Sequence, residues 1–329
     1  MKVTFNQEVG DLMGTALHEV EKFHRVRHDG WPKGQEVEIA FENKYSGKDG
    51  PSAAVACALM IESLISGVEL DQSFAVTGDM NADGSVQPVG GISAKIRGAS
   101  AKECDVVAVP DDNKTLVADA YIMEGPEAVN KIQIFSIKTF EEALALGRKD
   151  RDEKLTGAIE KFAKVQKVVN DKGVGTLKHP QVQAVLKEVV QAAPNHLSAK
   201  LLLLHGIGRG PDKLSLAGSL VSIEKSAYSV LRGIKNSEFE TSALDGDKIG
   251  DAVYKIRALR TKLDPRTKSL ADSIEEFASN VREFNQDRST GASAKIEIIK
   301  RIRSSGQRVD TEYDKLRQNR EVMEELMAE

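Results

Sequence analysis

Gly47-Lys48-Asp49-Gly50-Pro51-Ser52-Ala53 runs without a break into a helical stretch, Ser52 to Ser66, that Gly67 closes. The run Ala53 to Leu59 is apolar, so this helix is buried from its first turn. Gly-Pro ahead of the serine is ordinary helix-start chemistry, and serine is a strong N-cap. The same position has a second use. Unpaired backbone N–H groups and the positive end of the helix dipole meet there, and together they stabilise an oxyanion. Taken alone, the segment reads first as an ordinary cap.

A second segment downstream adds chemistry. Phe74-Ala75-Val76-Thr77-Gly78-Asp79 ends a strand, and Gly84-Ser85-Val86-Gln87-Pro88-Val89-Gly90-Gly91-Ile92-Ser93-Ala94-Lys95 follows it. Lys95 falls early in a helix beside the apolar Ile92, Ile96 and Ala99. Low-dielectric surroundings disfavour the ammonium form, and a neutral amine can take the proton of a serine hydroxyl. Such a serine–lysine pair needs no histidine. An isolated lysine on a helix is otherwise a solvated surface residue.

In one register, these segments resemble the proteolytic domain of Lon proteases. The family's Lys-Asp-Gly-Pro-Ser-Ala stretch is similar to Lys48 to Ala53, and its Thr-Gly-Glu strand end to Thr77-Gly78-Asp79. Its Gly…Val-Leu-Pro-Ile-Gly-Gly-Leu-x-x-Lys run is similar to Gly84 to Lys95. The resemblance spans about Val9 to Leu146 and implies a serine endopeptidase acting on unfolded proteins or peptides. It implies Ser52 as nucleophile and Lys95 as base, with Thr77 hydrogen-bonding the lysine. It also implies that Asp49 stands near the site, that the Gly50-Pro51-Ser52 turn shapes the oxyanion site, and that Gly90 and Gly91 permit a tight turn before the lysine helix. A homo-oligomer, a hexameric ring, is implied in the same way.

Departures accompany the likeness. Bacterial members carry a His-x-His pair in the strand before the serine, where this chain has Glu38 and Ala40. Ala54 replaces a glycine, and Asp79 replaces a glutamate. No G-x-x-x-x-G-K-[ST] occurs in the 329 residues. Cleavage by this chain is therefore expected to be independent of ATP. Two rivals stay open: a non-catalytic Lon-fold scaffold or adaptor, and a phosphoryl-transfer enzyme of the galactokinase type. The second needs several glycines around the phosphate, and Lys48 to Ala54 offers only Gly50.

Around these motifs, Val9 to His24 places Leu12, Met13, Ala16, Leu17, Val20 and Phe23 on one helical face. Glu36 to Phe41 alternates as a half-buried strand. Further strands are expected at Ser73–Thr77, Asp105–Val109 and Lys131–Ile137, and helices at Ser93–Lys102 and Thr139–Leu146. The reading is an α+β Lon-type protease domain at 1–150, followed by all-α segments. Within the helical part, His179 to His205 resembles one tetratricopeptide unit with a turn at Ala192-Ala193-Pro194-Asn195, which sets a domain at 151–245. Leu270, Ile274, Phe277, Val281 and Phe284 form a heptad stripe, and Ile302, Val309, Tyr313, Leu316 and Met323 a second. These predict a helical hairpin at 246–329, turning near Asp287–Ser293, whose faces pack together or dock a protein partner.

Composition limits the partners. The chain is 40% hydrophobic and 29% charged, as a folded globular protein is. Residues 1–150 hold 15 basic against 24 acidic side chains, a net −9, which disfavours nucleic acid; the remainder is +5. No apolar run reaches the roughly 20 residues of a spanning helix, and the N-terminus lacks a secretory segment, so no membrane role and a cytoplasmic location are expected. Neither of the two cysteines, Cys57 and Cys104, sits in a zinc spacing, and none of the six histidines forms an HExxH. His18, His24 and His28 read as surface or packing residues. No metal and no cofactor are expected.

Overall fold

The computed structural model describes residues 2–30, 32–42, 49–235, 246–286 and 292–328. It divides into two compact units, 1–211 and 212–329. Among the described residues, no helix is long and apolar enough to cross a membrane.

The first unit opens with β1 (Lys2–Phe5), α1 (Asp11–Arg27) and β2 (Glu36–Ile39), and the two strands pair in parallel with Val3 opposite Val37. A short 3-10 turn, Pro51–Ala53, leads into α2 (Ala54–Ser66). Gly67, in the left-handed conformation at φ +73°, ends α2 by donating its N–H to Ser63 O. Next come β3 (Phe74–Val76), the antiparallel pair β4 (Asp79–Met80) and β5 (Val86–Gln87), and α3 (Ile92–Ala101). The unit continues through β6 (Val106–Pro110), α4 (Lys114–Glu124), α5 (Glu127–Asn130), β7 (Gln133–Ile137) and α6 (Phe140–Gly147).

Strands β3, β6 and β7 form a parallel sheet in that order, Phe74 opposite Val106 and Val106 opposite Gln133. Every residue of β6 and β7 is buried, as a parallel sheet covered on both faces requires. The parallel pairing is reached by helical crossovers, α3 between β3 and β6 and α4–α5 between β6 and β7. The expected elements are present with ends displaced by a few residues. The helix of 114–124 is not legible in the sequence, because the apolar residues at 116–118 and 120–123 run round most of the helix and leave no single stripe.

Helices α7 (Glu153–Lys172), α8 (Pro180–Ala192) and α9 (Leu197–Gly206) complete this unit. The helix–turn–helix expected over His179–His205 is present. Its place is not a separate domain starting at 151. β7 leaves an edge whose backbone groups need partners, and the turn into α9 supplies them. Ser198 Oγ accepts from Ile134 N at 3.0 Å and donates to Ile132 O at 3.1 Å. Ser136 N donates to Asn195 O, and Asn195 Nδ2 to Ser136 O, each at 2.9 Å. His196, wholly buried between the rings of Phe135 and Phe162, has its pKa pushed down by burial to about 3 and packs as a neutral ring. The composition shift at 150 marks the end of the strands, whereas the compact unit runs to 211.

The second unit is helical: α10 (Leu216–Lys235), α11 (Gly246–Leu259), α12 (Lys268–Gln286), α13 (Ala292–Gln318) and α14 (Arg320–Ala328). α10 packs on α11 and α12 and so belongs here, not with the middle segment at 151–245. Leu270, Ile274, Phe277 and Val281 are buried where α12 meets α13, which contributes Ile298, Ile302 and Val309. Arg301–Glu283 and Arg308–Glu276 pair along the same seam, at 2.6 and 2.8 Å. The first stripe is therefore spent within the unit. The expected turn at Asp287–Ser293 falls mostly outside the described residues.

Candidate active site

Ser52 occupies the middle of the 3-10 turn that feeds α2. Gly50 precedes it at φ +106°, a backbone region that side chains of L-residues resist, and Pro51 sets the first position of the turn. Asp49, on the surface, accepts the Gly50 N–H at 2.8 Å and so braces the turn from outside. Gly47 and Lys48, which open the motif, lie outside the described residues.

The turn is tied to the end of β3. Ser52 O accepts from Gly78 N at 3.0 Å and from Thr77 Oγ1 at 3.1 Å, while Val55 N donates to Gly78 O at 3.2 Å. Thr77 N in turn donates to Ala108 O of β6 at 3.1 Å, so the clamp is anchored in the sheet. Gly78 is required by close packing: a Cβ there would lie 2.9 Å from Val86 Cγ1 and 3.0 Å from Val55 Cγ2. Ser52 is thereby held through its backbone, and among the described residues its hydroxyl has no hydrogen bond.

Lys95 stands in the first turn of α3, its N–H bonded to Gly91 O at 3.0 Å. Gly91 begins the helix at φ +74°, as expected for the tight turn, whereas Gly90 is not in the left-handed region. Ile92 and Ile96 beside the lysine are buried, and Lys95 itself is half-buried. Burial alone holds its amine below the ordinary lysine pKa. Asp79, at the other end of the Thr-Gly-Asp segment, is pushed the opposite way by burial while accepting Met80 N at 2.7 Å.

Two outcomes differ from the sequence-based picture. The Thr77 hydroxyl donates to the Ser52 carbonyl, and among the described residues no hydrogen bond joins it to Lys95. Its lone pairs still face no such restriction, since a hydroxyl donates once and accepts twice. The second is Asn113, a buried residue just after β6 whose Oδ1 accepts from Val89 N at 2.9 Å. It fixes the loop that leads to Lys95. The polar run Asp111-Asp112-Asn113 at the end of an apolar strand was the available signal. Cys57, buried in α2, has its thiol pushed up to about 11 by burial, away from the reactive thiolate.

The clamp predicts a measurable cost. Thr77→Val keeps the shape of the side chain and removes the donor to Ser52 O, so stability is expected to fall by about 1 kcal/mol. Thr77→Ser is expected to restore it, with both read from urea denaturation midpoints.

A family model of the Lon protease (S16) C-terminal proteolytic domain matches residues 10–147. The archaeal Lon protease of Thermoplasma acidophilum is 32% identical over 165 residues, which cover 49% of this chain and 24% of that protein. The Lon protease of Methanosarcina barkeri is 34% identical over 149 residues, 44% of this chain and 18% of the relative. That of Clostridium beijerinckii is 36% identical over 98 residues, 30% of this chain and 12% of the relative. These matches thus cover a quarter or less of the relatives' own length. Ser52, Thr77 and Lys95 all fall inside the matched region, and over residues 10–147 this chain carries a Lon protease proteolytic domain.

Proposed function

We propose that this chain is a Lon-type serine endopeptidase that cleaves unfolded proteins or peptides through Ser52 and Lys95. The observation that carries the reading is the clamp of Thr77 and Gly78 on the Ser52 carbonyl. It leaves the serine hydroxyl uncommitted among the described residues at the start of a helix, in a domain whose half-buried lysine is shifted towards its neutral form. Neutral Lys95 takes the proton from Ser52 Oγ as the oxygen attacks the scissile carbonyl. The oxyanion forms against the N-terminal end of α2, where the helix dipole favours negative charge. Lys95 then gives its proton to the leaving amine, and water, activated by the same base, releases the acyl group from Ser52.

Assembly into a homo-oligomer, a hexameric ring by the resemblance, belongs to the same proposal, as does a protein partner on the C-terminal helices. A ring keeps the serines in a chamber closed to folded proteins.

The reading is tested with an unstructured, casein-like substrate. Cleavage is expected at the same rate with and without ATP and magnesium, because the chain has no phosphate-binding loop. A stably folded substrate is expected to resist, since its several kcal/mol of stability must first be overcome. Stimulation by ATP in the purified chain would remove the ATP-independent part of the proposal. The scaffold alternative draws on the lack of a hydrogen bond between Ser52 and Lys95 among the described residues. Labelling of Ser52 by a fluorophosphonate probe separates the two: an unlabelled serine favours the scaffold.

A further inference from the structure

Away from the serine turn, α1 and α2 bring three metal-ligating side chains together. His24 lies in the last turn of α1 and His28, four residues on, caps its C-terminus, and Glu62 meets them from α2. His28 Nε2 is 2.9 Å and His24 Nδ1 3.5 Å from the same oxygen, Glu62 Oε2. The three donor atoms all lie within 4.8 Å of one another. Ligands of a tetrahedral zinc ion bonded at about 2.0–2.1 Å are separated by roughly 3.3 Å, and the two measured separations bracket that value.

The tautomer suits the purpose. His24 Nε2 lies 3.0 Å from Ala58 O, and a carbonyl only accepts, so the ring's hydrogen is on Nε2 and the Nδ1 lone pair is directed at the carboxylate. A backbone carbonyl holding the far nitrogen is how metal-binding imidazoles are oriented. His24 is fully buried, so the ligand on this side is held in place by the core. His28 is partly exposed, which provides a path from solvent for the ion and for a water as fourth ligand.

The charged groups around the trio set the competition. Arg27 Nε donates to Glu62 Oε2 at 3.0 Å, and Arg27 also pairs with Glu141 and lies over the Phe140 ring at 5.1 Å. An arriving dication takes the place of Arg27 at Oε2, and the arginine keeps Glu141 and Phe140. We propose that His24, His28 and Glu62 form a binding site for a divalent transition metal of the zinc type. Glu62 stands about 12 Å along α2 from its first residue, so the ion pins α1 to the serine-bearing helix and does not reach Ser52. The proposal is independent of the peptidase reading.

The experiment uses the untagged, metal-free full chain. Calorimetric titration with Zn2+ is expected to show one saturable equivalent, and Co2+ to give the visible bands of a four-coordinate ion. Zn2+ is expected to raise the melting temperature and to shift the imidazole 15N signals of His24 and His28. His28→Ala is expected to weaken Zn2+ binding at least tenfold and to abolish the Co2+ bands. His18→Ala, on the same helix but exposed, is expected to bind as the unaltered chain does. Because the 15N shifts are read on the unaltered chain, the assignment does not depend on the variant folding. Absence of saturable Zn2+ binding, unshifted signals of His24 and His28, or unaltered affinity in His28→Ala would each overturn the site and leave the trio as a hydrogen-bonded clamp between helices.

Discussion

Ser52→Ala is expected to lower peptidase activity by about 10³-fold or more while leaving the fold in place. The separation of the two effects follows from how the residue is held. Its structural bonds run through the backbone carbonyl, which accepts from Gly78 N and Thr77 Oγ1, and alanine keeps that carbonyl. Among the described residues the Ser52 hydroxyl has no hydrogen bond to lose. Ser52 also caps neither the turn nor α2 through its side chain, so stability should change by less than the roughly 1 kcal/mol of a lost cap. Hydrolysis of an unfolded substrate and a urea melt, run on the same preparation, check both halves. Wild-type turnover in this variant would remove Ser52 from the reaction. Large destabilisation would show that the hydroxyl serves the fold.

Lys95→Met is expected to be inactive, by at least the 10² to 10⁴ that a positioned general base contributes. Lys95→Arg should fail equally, since it keeps the positive charge but cannot give up its proton near neutrality. In the unaltered chain, the rate should rise with pH through the lowered pKa of Lys95 and level off once the amine is neutral. The same shift has a signature in stability. The folded-state pKa lies below the unfolded value, so between the two the unfolded chain binds more protons and stability rises with pH. Lys95→Met lacks that rise, and at neutral pH it is expected to be as stable as the parent or more so, because no ammonium is half-buried. Rate–pH profiles and melts of the three proteins across the alkaline range provide the check. An active Lys95→Arg, or a lysine variant that melts early with normal turnover, would place Lys95 in the framework.

Local pattern went far along this chain. A glycine, a proline and a serine ahead of an apolar run placed Ser52 at a helix start. The apolar neighbours Ile92 and Ile96 signalled a lysine partly removed from water, and burial does lower its pKa. The stripe Met13, Ala16, Leu17, Val20 and Phe23 on α1 is buried as its period requires, while Leu12, also assigned to that face, is exposed. The α12 stripe of Leu270, Ile274, Phe277 and Val281 is buried too. In each case the decisive forces act between residues a few positions apart, so the chain's own order carries them.

Other features depended on which distant segments meet. The Thr77 hydroxyl had two acceptable partners, and the packing of β3 against the serine turn gave it the Ser52 carbonyl. The helices at 153–206 read as a separate domain because their composition differs from that of the strands before them. They belong with the sheet because the open edge of β7 needs hydrogen-bond partners, and Asn195 and Ser198 provide them. His24 and His28 stand four residues apart, a spacing the sequence displays, but their third partner, Glu62, lies on another helix, so the trio itself could not be read from it. Residue order thus determined where the serine and lysine stand on their own elements and which faces are apolar. The tertiary structure decided how the serine's backbone is clamped, where the first unit ends and what the buried histidines face, because those choices rest on backbone edges and polar groups that only distant parts of the chain can satisfy.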